Sequence, residues 1–375
     1  MRRLWVILAA LLLGSPVFAC TTAVVSAGAS ADGRPMLWKQ RDAPDPYNII
    51  VHVKGGKFAY TALFPTKDTL HTRAYAGINE AGFGIMNNLS YNLGSDEVVQ
   101  RTKAGPLMAR ALAGCRTLED FEALLRDPSR PRPQSSNFGV IDAQGGAAYF
   151  EVSDTSFVRF DVPPGGILYR TNYSLTGDEG RGRGYERYAT MGQLTGGRSR
   201  YEPEFFFEAG RRHLQHGADS LRSRRSGWML EHDYIPRPTT TASVVIEGVA
   251  PGADAGSGMM WCATGYTPCA YPVAVWVAAG EDIPECLKGD ANVLSVELST
   301  SVHSHPDHPK MVDVKQLRRI EKAVRRAQRR EFRAARRLMR RGLTPEGVRR
   351  YNACADRRFA AFGNGMAGRL KEAGR

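Results

Sequence analysis

Short β-strand patterns recur along most of this chain, and helical patterns interrupt them in only two clusters before the C-terminal segment. Alternating residues bounded by glycine turns are typical of strands, whereas apolar residues three or four apart are typical of helices. Strands are predicted as a hairpin over 20–42 and at 49–53, 58–64, 82–89, 137–142, 147–153, 157–162, 242–247 and 273–278, and helices at 106–113, 118–126, 185–194 and 203–215. This pattern favours an α+β fold of stacked layers over a barrel.

Residues 1–19 have the composition of a secretory signal peptide. Arg2 and Arg3 precede an apolar run over 4–13, and small residues follow it. A run of this length is too short to cross a bilayer, which needs roughly 20 residues. The sequence therefore predicts cleavage before Cys20 and a periplasmic or secreted mature protein.

A lipoprotein is the alternative interpretation of this leader, with Cys20 acylated as a membrane anchor. Phe18 disfavours it, because lipoprotein signals prefer a small or modest aliphatic residue at that position. The two interpretations are chemically exclusive, since a thioether-linked Cys20 has no thiol to act as a nucleophile.

The basic charge of this chain of 375 residues is concentrated at its ends. The net charge is +13, but residues 20–309 carry about −4, whereas 310–341 carry +11 and 342–375 carry +4. A charge argument about partners therefore applies only to the C-terminal segment. We predict a catalytic domain over 20–309, a basic helical extension over 310–375, and no nucleic-acid partner.

The segment 313–341 has the pattern of a long amphipathic helix. Its apolar residues form one stripe, with arginine on most other faces. The stripe consists of Leu317, Ile320, Val324, Ala327, Ala335, Leu338 and Met339. Two interpretations stay open: a helix packed on the domain, and a basic arm that contacts an anionic membrane or cell-wall surface.

A cysteine at the start of a mature chain combines a nucleophile and a base in one residue. Its α-amine has a pKa of about 7.7–8, so a useful fraction is unprotonated near neutral pH. This amine can accept the thiol proton, directly or through a water molecule. Such a site also needs a group to orient the amine, a nearby cation, and donors for the tetrahedral oxyanion.

Five blocks of sequence in order resemble the N-terminal-nucleophile (Ntn) hydrolases that cleave linear amides, such as choloylglycine hydrolase, penicillin V acylase and isopenicillin N acyltransferase. They are CTTAVVSAGASADGRPMLWKQRD (20–42), AYAGINEAGFGIMNNLSYN (74–92), SSNFGVIDAQGGAAYFEVSD (135–154), LYRTNYSLTGD (168–178) and GYERY (184–188). The resemblance covers most of 20–285. It implies a four-layer αββα sandwich and the cleavage of an amide or short peptide through a thioester on the enzyme, with acyl transfer as a second outcome.

The resemblance also implies roles for individual residues. Cys20 is the nucleophile, and its own amine is the base. Asp42 accepts a hydrogen bond from that amine, and the side-chain amide of Asn172 contributes to the oxyanion hole. Arg187 is the later arginine that supports the nucleophile. Neither a cofactor nor a metal is implied, and a homo-oligomer is left open.

Two positions remain ambiguous between neighbours. The second oxyanion donor falls on Asn88 or Asn87. The positive charge that bile-salt hydrolases supply as an arginine falls on Lys39, with Arg41 next to Asp42 as the alternative. Lysine and arginine differ in geometry, so this departure weakens a prediction of bile-salt or penicillin V specificity more than it weakens the predicted chemistry.

The segment 303–308 (His-Ser-His-Pro-Asp-His) matches a pattern of dinuclear zinc hydrolases and supports the alternative of a metal-dependent hydrolase. That fold needs histidines further along the chain, and none follows His308. We therefore predict a polar linker here.

The five cysteines other than Cys20 allow disulfides in an exported protein, with connectivity left open. They are Cys115, Cys262, Cys269, Cys286 and Cys354. Cys262, Cys269 and Cys286 are near one another in sequence and are the first candidates for pairing.

Overall fold

The computed structural model describes residues 19–211, 227–231 and 234–373, and most of its strands form two large antiparallel sheets. The first sheet contains, in spatial order, β10 (Ile167–Arg170), β1 (Thr21–Val25), β2 (Met36–Asp42), β12 (Thr240–Glu247), β13 (Met259–Thr264) and β14 (Val273–Trp276). The second sheet contains β3 (Asn48–Val53), β4 (Tyr60–Pro65), β5 (Ala76–Asn79), β6 (Gly84–Leu89), β7 (Ser136–Ile141), β8 (Ala147–Val152) and β9 (Phe157–Asp161), each beside the next. A separate pair joins β11 (Trp228–Leu230) to β15 (Met311–Asp313).

Helices lie on the outer faces of both sheets. In chain order they are α1 (Asp96–Gln100), α2 (Ala104–Gly114), α3 (Leu118–Arg126), α4 (Tyr185–Thr195), α5 (Pro203–Ala209), α6 (Asp290–Val302), α7 (Val314–Arg341) and α8 (Pro345–Ala373). Helix α2 packs on the second sheet, and α4, α5, α6 and α7 pack on the first. The two sheets face each other, so the predicted αββα sandwich is confirmed.

Two hydrophobic cores hold these layers together. Under α2 and α3, Phe121 packs edge-on against Phe138 and Phe150 of the second sheet. The larger core fills the space between the sheets and continues beneath α7, where Phe332 lies over Trp261 with 3.9 Å between ring centroids. Burial of aromatic surface on this scale is the main driving force for assembling such layers.

Most of the predicted elements are present, and several others were not predicted. The hairpin 20–42 is β1 and β2, and the helix predicted over 313–341 is α7, with Asp313 as its N-cap. The unpredicted elements are short or weakly periodic: strands β5, β10, β11, β13 and β15 and helices α1 and α6. Residues 1–18, which hold most of the predicted signal peptide, and 212–215 of the predicted helix 203–215 lie outside the described residues.

The predicted disulfides do not form. All six cysteines are free, and all but Cys354 are buried. Burial raises the pKa of the Cys115 thiol to about 12 and raises the pKa of the Cys262 thiol as well. Thiols held in the protonated form inside a core behave as small apolar side chains.

The C-terminal helices belong to the same core as the sheets. Leu317, Val324 and Phe332 of α7 are buried in the larger core, and Tyr351 of α8 donates a hydrogen bond to Glu331 of α7 at 3.0 Å. The interpretation of 313–341 as a helix packed on the domain is therefore confirmed for its apolar face. None of the described helices is both long enough and apolar enough to cross a membrane.

Candidate active site

Cys20 lies immediately before β1, which is next to the edge strand β10 in the first sheet. Strand β1 pairs with β2 on one side and with β10 on the other. Continuing both antiparallel registers past the strand ends places Cys20 opposite Arg41 and Asn172. The residue is buried, 7% exposed. Three positions that are far apart in the sequence therefore meet at one end of the sheet.

Arg187 ties Cys20 to Asn172. Its guanidinium donates to the backbone oxygen of Cys20 at 2.6 Å, to Thr21 Oγ1 at 3.0 Å and to Asn172 Oδ1 at 2.9 Å. With its oxygen held by Arg187, the Asn172 amide turns its Nδ2 toward the Leu89 oxygen, to which it donates at 2.9 Å. The sequence prediction placed these residues at one site, and the structure brings them together.

Asn88 braces the segment that carries Asn172. Its Oδ1 accepts a hydrogen bond from Thr22 Oγ1 at 2.7 Å, and its Nδ2 donates to the backbone oxygen of Thr171. Tyr149 also donates to the Thr22 hydroxyl, at 2.9 Å. The Asn88 side chain thus joins β6 to β1 and to the segment that carries Asn172.

Lys39 is a buried cation close to Cys20. Its Nζ donates to Asn87 Oδ1 at 2.7 Å and to the Tyr75 oxygen at 2.9 Å. Burial lowers the pKa of Lys39 to about 8; the negative charge available at Cys20 opposes this shift and the charge of Arg41 adds to it. Asn87 therefore accepts a hydrogen bond from Lys39, whereas Asn88 accepts one from Thr22.

Arg41 packs on the ring of Tyr75, the residue whose backbone oxygen accepts from Lys39. Its guanidinium lies 3.8 Å from the centroid of the Tyr75 ring and donates to Thr241 Oγ1 at 2.5 Å. No acidic side chain is among these two contacts. Of the two candidate cations, Lys39 is the one that donates to Asn87.

Asp42 is fully buried at the end of β2. Its Oδ1 accepts from Thr240 Oγ1 at 2.6 Å, and its Oδ2 lies 3.4 Å from Arg237 Nε. In the uncleaved chain the Cys20 nitrogen is part of a peptide bond to Ala19, so the contact between Asp42 and a free amine stays a prediction.

A buried ion pair that the sequence did not predict supports the segment that carries Asn172. Arg170 Nε donates to Glu151 Oε1 at 2.8 Å, and both side chains are almost fully buried. The same carboxylate accepts from the backbone of Leu175 and from Thr176. It therefore holds both flanks of 171–172. Glu151 and Arg170 fall inside the quoted blocks, but no local signal marks them as partners.

The 303–308 segment is not assembled as a metal site. His303 ends α6 and its Nε2 lies 2.9 Å from Glu231 Oε2, while Tyr266 donates to the other oxygen of that carboxylate. The Glu231 charge raises the pKa of His303 against the opposing effect of burial. Within the described ranges, no three His, Cys, Asp or Glu side chains converge as metal ligands. The polar-linker prediction was wrong for His303, which is mostly buried.

No protein-family model matches the chain, and no curated protein matches it in sequence. Solved structures similar in fold include a Caenorhabditis elegans ortholog of N-acylethanolamine-hydrolyzing acid amidase (15% identity, TM-score 0.42, covering 62% of this chain and 94% of that chain). Others are penicillin V acylase from Agrobacterium tumefaciens (13%, 0.38, covering 68% and 85%) and a variant of conjugated bile acid hydrolase from Clostridium perfringens (11%, 0.39, covering 69% and 93%). At this level of similarity, the chemistry of this chain has to be argued from its own residues.

Proposed function

We propose that this protein is an exported cysteine amidohydrolase of the Ntn type that cleaves a linear amide through a thioester on Cys20. The observation that carries the proposal is the Arg187 guanidinium, which holds the Cys20 carbonyl and the Asn172 side chain together. A buried thiol beside a fixed amide and a buried cation is the set of groups that acyl transfer requires.

The reaction proceeds in two balanced halves after residues 1–19 are removed. The Cys20 sulfur attacks the amide carbonyl carbon while its proton moves to the α-amine, and Asn172 Nδ2 donates to the oxyanion. The C–N bond breaks as the α-ammonium returns the proton to the leaving amine. Water then gives a proton to the α-amine while its oxygen adds to the thioester carbon. The C–S bond breaks, the acid is released, and the α-ammonium returns the proton to the Cys20 sulfur.

Hydrolysis is the proposed outcome because an exported site has water in excess. Transfer to a second amine follows the same first half and differs only in the nucleophile that resolves the thioester. We propose a small-molecule amide or a short peptide as the substrate. All the groups named above act on the amide bond itself.

The mass of the mature protein tests the proposal first. Expressed at full length with its leader, the protein is expected to give an intact mass that begins at an unmodified Cys20. Incubation with amide substrates should then add the mass of the acyl group to the N-terminal peptide. A mass increased by acyl-glycerol, or a start upstream of Cys20, contradicts the proposal and supports the lipid-anchored alternative.

The charge of Lys39 predicts an alkaline limb in the pH profile. Because the pKa of Lys39 is lowered to about 8, the side chain is charged below that pH and neutral above it. We expect kcat/KM to fall as the pH rises through this value, since a cation beside the reacting sulfur is lost. Lys39→Met should lower kcat/KM by about 10–100-fold and remove that limb.

Arg41→Met is the matched control for this profile, because it removes the neighbouring cation that does not contact Asn87. The limb should persist in that variant but move to higher pH, because the charge of Arg41 helps to lower the pKa of Lys39. An unchanged alkaline limb in Lys39→Met would show that another group titrates there.

A further inference from the structure

The exposed basic residues of α7 follow a repeat of eleven residues. The repeat comprises Lys315, Arg326 and Arg337; Arg318, Arg329 and Arg340; Arg319, Arg330 and Arg341; and Lys322 and Arg333. All of them are exposed. Since eleven residues make three turns at 3.67 residues per turn, each set lies in a nearly straight row along the helix.

The other faces of α7 are turned inward. Leu317, Ile320, Val324 and Phe332 are buried in the core, and both acidic residues of the helix, Glu321 and Glu331, are buried as well. The exposed face therefore presents positive charge with no acidic residue of the same helix beside it. We call the exposed residues of the repeat the basic strip.

Two arginines of the helix lie outside the strip and are neutralised. Arg325 pairs with Glu208 at 3.0 Å and with Glu321 at 3.1 Å, and Arg336 pairs with Glu204 at 2.7 Å. Helix α5 thus supplies acidic partners where α7 meets it. Among the described residues, no member of the basic strip forms an ion pair, so its charge faces outward uncompensated.

The dimensions of the strip fit an extended anionic plane. At a rise of 1.5 Å per residue, the strip is about 40 Å long, and its rows spread over roughly 100° of the helix surface. A plane of headgroups reaches every row at once, whereas a single linear chain of phosphates follows one row.

We propose that the basic strip docks this protein on the surface of an anionic phospholipid bilayer. The apolar face of α7 is already used in the core, and none of the exposed large apolar residues lies on this helix. The contact is therefore electrostatic, without insertion of the helix, and it weakens steeply with salt. The proposal is independent of the chemistry at Cys20.

Co-sedimentation of the full chain with vesicles tests whether the basic strip binds an anionic bilayer. Binding is expected to vesicles that contain phosphatidylglycerol and not to vesicles of phosphatidylcholine alone, and to fall between about 0.05 and 0.3 M salt. A variant with Arg319, Arg326, Arg330 and Arg337 changed to Gln should lose binding by about tenfold or more. Glutamine has a helix propensity close to that of arginine, so α7 should persist, and its circular dichroism and thermal transition check this.

A second variant matches the loss of four charges elsewhere on the surface. It carries Gln at Lys57, Lys67, Arg132 and Arg200, all exposed and on other elements. It should bind the vesicles within about threefold of the natural protein. Equal loss in both variants, or equal binding to neutral vesicles, overturns the proposal.

Discussion

Replacing Cys20 with alanine is expected to abolish amide cleavage, with a loss in kcat of at least about 10³-fold. In the proposed mechanism this change leaves the α-amine base in place but removes the thiol, so no group remains that can form the thioester. Cys20→Ser should also lose most of the rate, because a hydroxyl is a far weaker nucleophile than a thiol near neutral pH. Initial rates and trapping of the acyl group by intact mass measure both effects.

A measurement of fold stability separates the loss of cleavage from misfolding. The Cys20 side chain makes no packing contribution on the scale of the aromatic core, so both variants should unfold within about 1 kcal/mol of the natural protein. Cys354→Ser is the matched control, since Cys354 is a half-exposed free thiol on α8, far from the site in sequence. Retained cleavage in Cys20→Ala, or equal loss in Cys354→Ser, would falsify the role given to Cys20.

Replacing Glu151 with alanine is expected to lower the free energy of unfolding by about 3–5 kcal/mol, because it leaves the buried Arg170 charge unpaired. The carboxylate also accepts hydrogen bonds from Leu175 and Thr176, so those backbone donors lose a partner as well. Urea unfolding of the mature protein measures the effect. Cleavage should fall too, because Asn172 lies between these contacts.

Glu119→Ala provides the comparison. Glu119 pairs with Arg159 at 3.1 Å, but its side chain is 67% exposed. Solvent screens such a pair, so its loss should cost less than about 1 kcal/mol. Similar losses of unfolding free energy in the two variants would show that burial does not determine how much the Glu151–Arg170 pair stabilises the fold.

Local patterns were sufficient for most elements, whereas the candidate site residues came from the family resemblance of the ordered blocks. The hairpin 20–42, the second-sheet strands and α7 have strong periodicity and clear turn or cap residues, which act within a few residues along the chain. The ordered blocks also identified Cys20, Asp42, Asn172 and Arg187. Short elements such as β5 and α1 escaped prediction because too few residues carry their pattern.

Pairing across distant segments could not be predicted in the same way. Whether a cysteine is oxidised depends on which side chains lie within reach, and Cys262, Cys269 and Cys286 lie buried and unpaired despite their closeness in sequence. His303 belongs to an apparent metal motif, yet its partner is Glu231. The spacing of residues along the chain indicates neither the unpaired cysteines nor the contact between His303 and Glu231.

By itself, the sequence determined the layered α+β architecture, the placement of a cysteine at the start of the first strand, and the concentration of positive charge in the last helices. These depend on periodicity and composition, which are local. Only the tertiary structure decided that Arg187 joins Cys20 to Asn172, that Lys39 is buried against Asn87 and Tyr75, and that α7 buries every acidic residue it carries. These depend on strand register and burial, and both are set when segments far apart in the chain pack together.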